Sequence, residues 1–201
     1  FYRLFFSIRR LSMSTLKVDN LLLQDNTKGT GRILEMFCGI CVGQTFQVLS
    51  GTYTLENVTG VQNMTTTYTD ITGSSITYTP PEGTKNVVYK FSFLHDRHDT
   101  NPLTSFRTYL DDDEIIYRRF SVGMPSSYGQ MTTHVASFQC NASSIDFNTG
   151  ALTSWTTAKT IKMQGREHGS SNESKLHETH HFDGSTSDQF YAPSLEIMAI
   201  G

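Results

Sequence analysis

The stretch Asn86-Val87-Val88-Tyr89-Lys90-Phe91-Ser92-Phe93-Leu94 decides the fold. In an extended chain successive side chains point to opposite faces, so Val87, Tyr89, Phe91 and Phe93 share one face while Lys90 and Ser92 take the other. The same period recurs along the chain. Residues 74–79 set Ile76 and Tyr78 against Ser75, Thr77 and Thr79. Residues 132–140 set His134, Ala136, Phe138 and Cys140 on one side, and residues 160–164 do so with Ile161 and Met163. Leu195, Ile197 and Ala199 alternate with Glu196, Met198 and Ile200, a run apolar on both faces that predicts a buried closing strand.

Turn chemistry separates these runs at short intervals. It falls at residues 26–31, at Pro80-Pro81-Glu82-Gly83, Asp111-Asp112-Asp113, Asn148-Thr149-Gly150 and Asp183-Gly184. Many short strands with frequent turns predict an all-β protein, an antiparallel β-sandwich or jelly roll. A parallel α/β sheet needs amphipathic helices between its strands, and the sequence offers none. A soft boundary near residues 28–31 divides the chain into an N-terminal extended arm with a first strand, residues 1–30, and a sandwich domain, residues 31–201.

Composition agrees with this reading. Charged residues make up 17% of the 201-residue chain, too few for long solvated helices, and apolar residues 37%. Thirteen Phe and nine Tyr let a core be built from fewer residues, because each buries a large area. The net charge of −3, with no basic stripe interleaved with aromatics, argues against nucleic acid as a partner. No apolar run approaches the ~20 residues that span a bilayer. Three cysteines, Cys38, Cys41 and Cys140, are not a disulfide framework; one pair could bridge, and a reduced chain fits equally.

Residues 1–12 differ from the rest. They hold the large apolar side chains Phe1, Tyr2, Phe5, Phe6 and Ile8 together with Arg3, Arg9 and Arg10, and no acid. Met13 resembles a natural start, so the segment reads as a presequence remnant, an upstream extension or a functional arm. The arm is the expectation: its apolar side chains bury against a neighbour, and its arginines pair with acidic surface such as residues 111–114 of another copy. The alternative is an arm folded on its own domain.

Several stretches resemble a family of small structural proteins of marine bacteriophages and large algal viruses, described as tail-fibre-like or virion proteins. They are Met13-Ser14-Thr15-Leu16-Lys17-Val18-Asp19-Asn20, Tyr78-Thr79-Pro80-Pro81-Glu82-Gly83-Thr84 and Asn148-Thr149-Gly150-Ala151-Leu152-Thr153-Ser154-Trp155. Lys159-Thr160-Ile161-Lys162-Met163-Gln164-Gly165-Arg166-Glu167, Phe182-Asp183-Gly184-Ser185 and Pro193-Ser194-Leu195-Glu196-Ile197-Met198-Ala199-Ile200-Gly201 complete the likeness. The resemblance implies a jelly roll of the C1q/TNF type in a virion, at the particle surface or in an appendage, assembling with copies of itself, for instance as a trimer, and with other virion proteins. It assigns no catalytic, cofactor-binding or metal-binding residue.

Four motifs compete with that reading. His177-Glu178-Thr179-His180-His181 satisfies the zinc-protease pattern H-E-x-x-H, which needs a helix so that histidines four apart share one face. On a strand, His177 and His181 lie more than ~13 Å apart at ~3.3 Å per residue, and strand patterns on both sides favour the strand. Cys38-Gly39-Ile40-Cys41 is followed by non-helical sequence, so the cysteines read as buried small hydrophobes rather than a redox site. His95-Asp96-Arg97-His98-Asp99 and Asp111-Asp112-Asp113-Glu114 read as solvated loops. Sequons at Asn57, Asn63, Asn141 and Asn172 matter only in a secretory pathway. The reading that results is a non-enzymatic virion structural subunit without cofactor. Its rival is a jelly roll that binds a host glycan or receptor through residues 95–102 and 123–130, with Tyr128 and Trp155 stacking on sugar.

Overall fold

The computed structural model describes residues 31–97, 103–123, 129–169, 174–179 and 189–201. Residues 1–30, and with them the expected arm and its boundary, lie outside the described residues, as do the turn at Asp183-Gly184 and Tyr128. In chain order the strands are β1 Ile33–Ile40, β2 Thr45–Val48, β3 Gly51–Thr54, β4 Gln62–Asn63, β5 Thr69–Asp70, β6 Ile76–Tyr78, β7 Asn86–Arg97 and β8 Leu103–Leu110. They continue with β9 Asp113–Glu114, β10 Phe120–Gly123, β11 Gln130–Gln139, β12 Lys159–Glu167, β13 Ser174–Leu176, β14 Glu178–Thr179, β15 Gln189–Phe190 and β16 Ser194–Ile200. The only helical element among the described residues is a single 3-10 turn, Ile116–Arg118.

Eight of these strands build a jelly roll. One sheet runs β1-β16-β7-β11 and the other β6-β12-β8-β10, every pairing antiparallel. Numbered in chain order, the two sheets read 1-8-3-6 and 2-7-4-5, so the first strand pairs with the last and each next pair nests inside. That is the order of two Greek keys folded into a double sheet. Strands β13 and β4 extend the first sheet beyond the far end of β7, and β5 and β9 extend the second. The β2–β3 hairpin closes the open side between β1 and β6, where Phe46 and Tyr53 stack on Phe37 at 5.5 and 5.4 Å.

The expected core face is the observed one. Val87, Tyr89, Phe91 and Phe93 are all fully buried, and so are Ile161 and Met163. Burying such a side chain contributes about 1.5–3 kcal/mol. Phe93 meets Phe106 of β8 at 5.5 Å across the sandwich, and Phe138 of β11 meets Trp155 edge-on at 5.7 Å. The closing run behaves differently on its two faces. Strand β16 lies between β1 and β7, with Leu195, Ile197 and Ala199 buried, but Glu196, Met198 and Ile200 are only half-buried. Two glycines fix close approaches. Gly73 sits at φ +85, and a Cβ there would lie 2.8 Å from Pro193; a Cβ on Gly165 would lie 2.7 Å from Met64. Among the described residues no helix is long and apolar enough to cross a membrane.

The core is not uniform along the strands. Toward the start of β7 it is aliphatic and aromatic. Toward its end the inner face of β8 alternates Thr104, Phe106, Thr108 and Leu110, and His95, Glu167 and Ser174 are buried in the same half. The expectation of a solvated loop at residues 95–99 is corrected for residues 95–97; His98 and Asp99 lie outside the described residues. Strand β7 runs on to Arg97, with His95 at 0% and Asp96 at 2% exposure. Pairing with β11 and β13 extends the ladder past the last aromatic residue.

Candidate functional site

Two regions of the sandwich carry unusual chemistry. The first is the outer face of the β1-β16-β7-β11 sheet. Residues directly opposite in an antiparallel ladder point the same way, so the register builds rows across this face. Met36, Met198, Val88 and Ser137 form one row, and Cys38, Glu196, Lys90 and Val135 the next. Ile40, Ser194, Ser92 and Thr133 form a third, followed by Leu94 and Met131. Met36, Ile40, Met131 and Val135 are between 46% and 50% exposed. The two charged side chains in the middle pair with each other, Lys90 Nζ to Glu196 Oε2 at 3.3 Å. Burial, then the neighbouring Glu196, holds the Cys38 thiol above its usual range, which favours the protonated form at neutral pH.

The second region is the polar half of the interior. His95 Nε2 lies 2.6 Å from Ser174 Oγ and 3.0 Å from Thr104 Oγ1, and the two hydroxyls are 2.7 Å apart. His134 Nε2 lies 2.8 Å from Thr108 Oγ1 on the opposite sheet, with its ring stacked on Phe120 at 5.0 Å. His177 Nε2 lies 3.1 Å from Thr72 Oγ1. Desolvation lowers all three imidazoles to about 4; Arg118 adds to the effect at His134. Each is therefore neutral at neutral pH. At the open edge of this half the Arg107 guanidinium lies 3.8 Å above the Tyr68 ring.

The zinc-protease motif does not make its helix. Ser174–Leu176 and Glu178–Thr179 are strands, broken at His177, whose φ of 68 is a left-handed conformation. His177 points into the core and Glu178 pairs with Lys175 at 3.3 Å. His180 and His181 lie outside the described residues. The sequence pattern missed the buried role of His177 because hydrogen-bonding it needs Thr72, 105 residues away in the chain.

Trp155, expected to stack on sugar, is corrected to a core residue. It is 4% exposed, and its indole Nε1 donates to the Tyr78 carbonyl at 3.2 Å. The three cysteines are free thiols. Cys41 and Cys140 are buried, as expected of small hydrophobes, but Cys38 is exposed on the outer face described above. Burial pushes the Cys41 thiol up to about 12, and its Sγ donates to the Gly73 carbonyl at 3.3 Å.

The acidic run offers less to an incoming arginine than expected. Asp111 turns the chain at φ 55 and accepts from Lys159 Nζ and Thr160 N, both at 2.8 Å. Glu114 holds Arg119 in a two-pronged pair. Only Asp112 and Asp113 remain exposed without an ion pair among the described residues. Asn57, Asn63 and Asn141 are exposed, and Asn172 lies outside the described residues. Asn57 and Asn63 line an open cavity of about 800 Å3 with Glu56, Gln62, Asp70 and Thr72. Part of its lining is already bonded within itself: Gln62 spans Asp70 O and Thr72 N at 2.8 and 2.9 Å.

No protein-family model matches the chain, and no curated protein matches it significantly. Among solved structures it is similar to a chain of infectious bursal disease virus, Gx strain, with a TM-score of 0.38 and 9% identity over 87% of this chain and 38% of that one. A chain of the Gt strain of the same virus gives a TM-score of 0.39 and 9% identity over 87% and 39%. The protein thus spans under two fifths of the length of the chains it matches.

Proposed function

We propose that this chain is a non-enzymatic structural subunit of a virion that works by burying its surface against copies of itself. The observation that carries the reading is the outer face of the β1-β16-β7-β11 sheet. A water-facing sheet surface ordinarily alternates to polar residues. Here Met36, Met198 and Val88 form an apolar row straight across it, with Val135 and Ile40 in the next two rows and Met36 and Ile40 half exposed on β1. The Lys90–Glu196 pair compensates its own charge, so an identical face can dock on it without stranding an ion. A second copy is therefore the occupant this surface suits, in a self-complementary contact.

Residues 1–12 supply a second element of assembly, an apolar and basic arm that reaches a neighbour. The arm's arginines find Asp112 and Asp113 as the acids of the run still exposed. The rival reading, a glycan-binding module, loses support from the burial of Trp155. Replacing Met36 and Met198 together by Glu tests the proposal. Both sites lie on the outer face, Met36 half exposed and Met198 half-buried, so the variant folds with its melting temperature close to that of the parent but sediments as a monomer. A variant that assembles as the parent does, or a parent monomeric at high concentration, overturns the reading.

A further inference from the structure

The polar half of the interior carries an inference that goes beyond assembly. We infer that this half is an acid-sensitive latch, in which the imidazoles of His95, His134 and His177 join the two sheets while neutral, and their protonation parts the sheets at that end.

The geometry makes the argument. His95 on β7 and His134 on β11 both reach across the sandwich to hydroxyls of one strand of the other sheet, Thr104 and Thr108 of β8. His177 reaches Thr72 in the turn after β5. Three of the polar ties between the sheets in this half are therefore imidazole–hydroxyl contacts. A neutral imidazole has one N–H and one acceptor nitrogen, which a hydroxyl satisfies in either sense. The protonated ring has two N–H donors. The Nδ1 atoms of His95 and His177 are buried and without a hydrogen-bond partner among the described residues, so protonation would create a charged donor facing nothing.

The surrounding charges give little relief. Around His95 stand Thr104, Ser174 and the Phe106 ring, with Asp96 next to it in sequence and Glu167 opposite Thr104 on β12. Around His177 stand Thr72, Phe93 and the Lys175–Glu178 pair. Asp96, Glu167 and Glu178 each already take part in an interaction of their own. Around His134 stand Thr108 and Phe120, and the nearby Arg118 charge repels a second cation. In the unfolded chain each imidazole takes up its proton near pH 6.5; in the fold it resists until about 4. The unfolded state therefore binds more protons across that window, and stability falls as the pH falls through it.

The test uses the full chain, dilute enough to be monomeric, so its outcome is independent of assembly. Between pH 7 and pH 4.5 the melting temperature should fall by roughly 10 °C or more. The triple variant His95→Gln, His134→Gln, His177→Gln keeps an amide near each Nε2 position but cannot ionise, and should lose most of that fall. A parent with a flat profile, or a triple variant that falls as far as the parent, overturns the latch. Should the triple variant fail to fold, amide exchange of the parent decides. At pH 4.5 the protection factors of residues 93–95 and 104–108 should drop while those of residues 87–89 hold. An equal drop at both ends overturns it.

Discussion

The carboxylate of Glu35 on β1 accepts a hydrogen bond from the phenol of Tyr78 on β6 at 2.6 Å, tying the first strand of one sheet to the first strand of the other. Ser50 donates to the same carboxylate through its backbone N at 2.9 Å and its Oγ at 2.5 Å. Burial and the adjoining Glu35 push the Tyr78 hydroxyl well above its usual range, so it remains a donor at every accessible pH. Glu35 is thus a buried acid that accepts three hydrogen bonds, at the side of the sandwich that the β2–β3 hairpin covers. Replacing Glu35 by Ala removes the acceptor of three buried or half-buried donors, the Tyr78 hydroxyl and Ser50 N and Oγ, and should cost roughly 2–3 kcal/mol. Glu35→Gln, which keeps one acceptor, should cost less. Urea denaturation distinguishes them; equal midpoints for the parent and Glu35→Ala would show that the cluster is indifferent to stability.

Phe91 is fully buried and stacks on Phe93 at 5.3 Å. Phe91→Ala should destabilise the domain by about 3–5 kcal/mol, the range for truncating a core aromatic. A loss below about 1 kcal/mol is typical of surface positions and would place this face outside the core.

Glu178 is built into strand β14 beside His177. It is 5% exposed and holds Lys175 at 3.3 Å on the strands that flank His177. Glu178→Gln should therefore lower stability by about 1–2 kcal/mol, through the loss of a charge partner. Calorimetry on the two proteins reads this directly, and identical transitions would contradict it.

Removing residues 1–12 separates the arm's two possible homes. As an assembly arm it can be deleted with the melting temperature of the remaining domain kept and its sedimentation reduced. A truncated chain that unfolds would place the arm in its own core; one that assembles normally would make it a bystander.

The expectations that succeeded were local ones. Val87 through Phe93, Ile76 with Tyr78, His134 through Cys140, and Ile161 with Met163 all point where their period-2 pattern says. That pattern is set by backbone geometry over adjacent residues and needs no knowledge of partners. The turns at Pro80-Pro81-Glu82-Gly83 and Asn148-Thr149-Gly150 were equally legible, since Gly83 and Gly150 supply φ values of +86 and +81 that a glycine accepts without strain. Of the candidate site less was visible. The outer face could be read strand by strand, but the row from Met36 through Met198 to Val88 exists only once the register is set.

The sequence by itself determined that this protein is a sandwich of short antiparallel strands with an aromatic core. Tertiary structure alone decided the strand order, the fate of Trp155, the burial of His95 in a stretch whose charge read as solvated, and the burial of His177. Whether a polar side chain can be buried depends on its hydrogen-bond partners. Those of His95 are Thr104 and Ser174, 9 and 79 residues away, and that of Trp155 is the Tyr78 carbonyl, 77 residues away. Alternation along one strand carries no record of which distant strand will lie opposite, and the free energy of a buried imidazole or indole is settled by that strand.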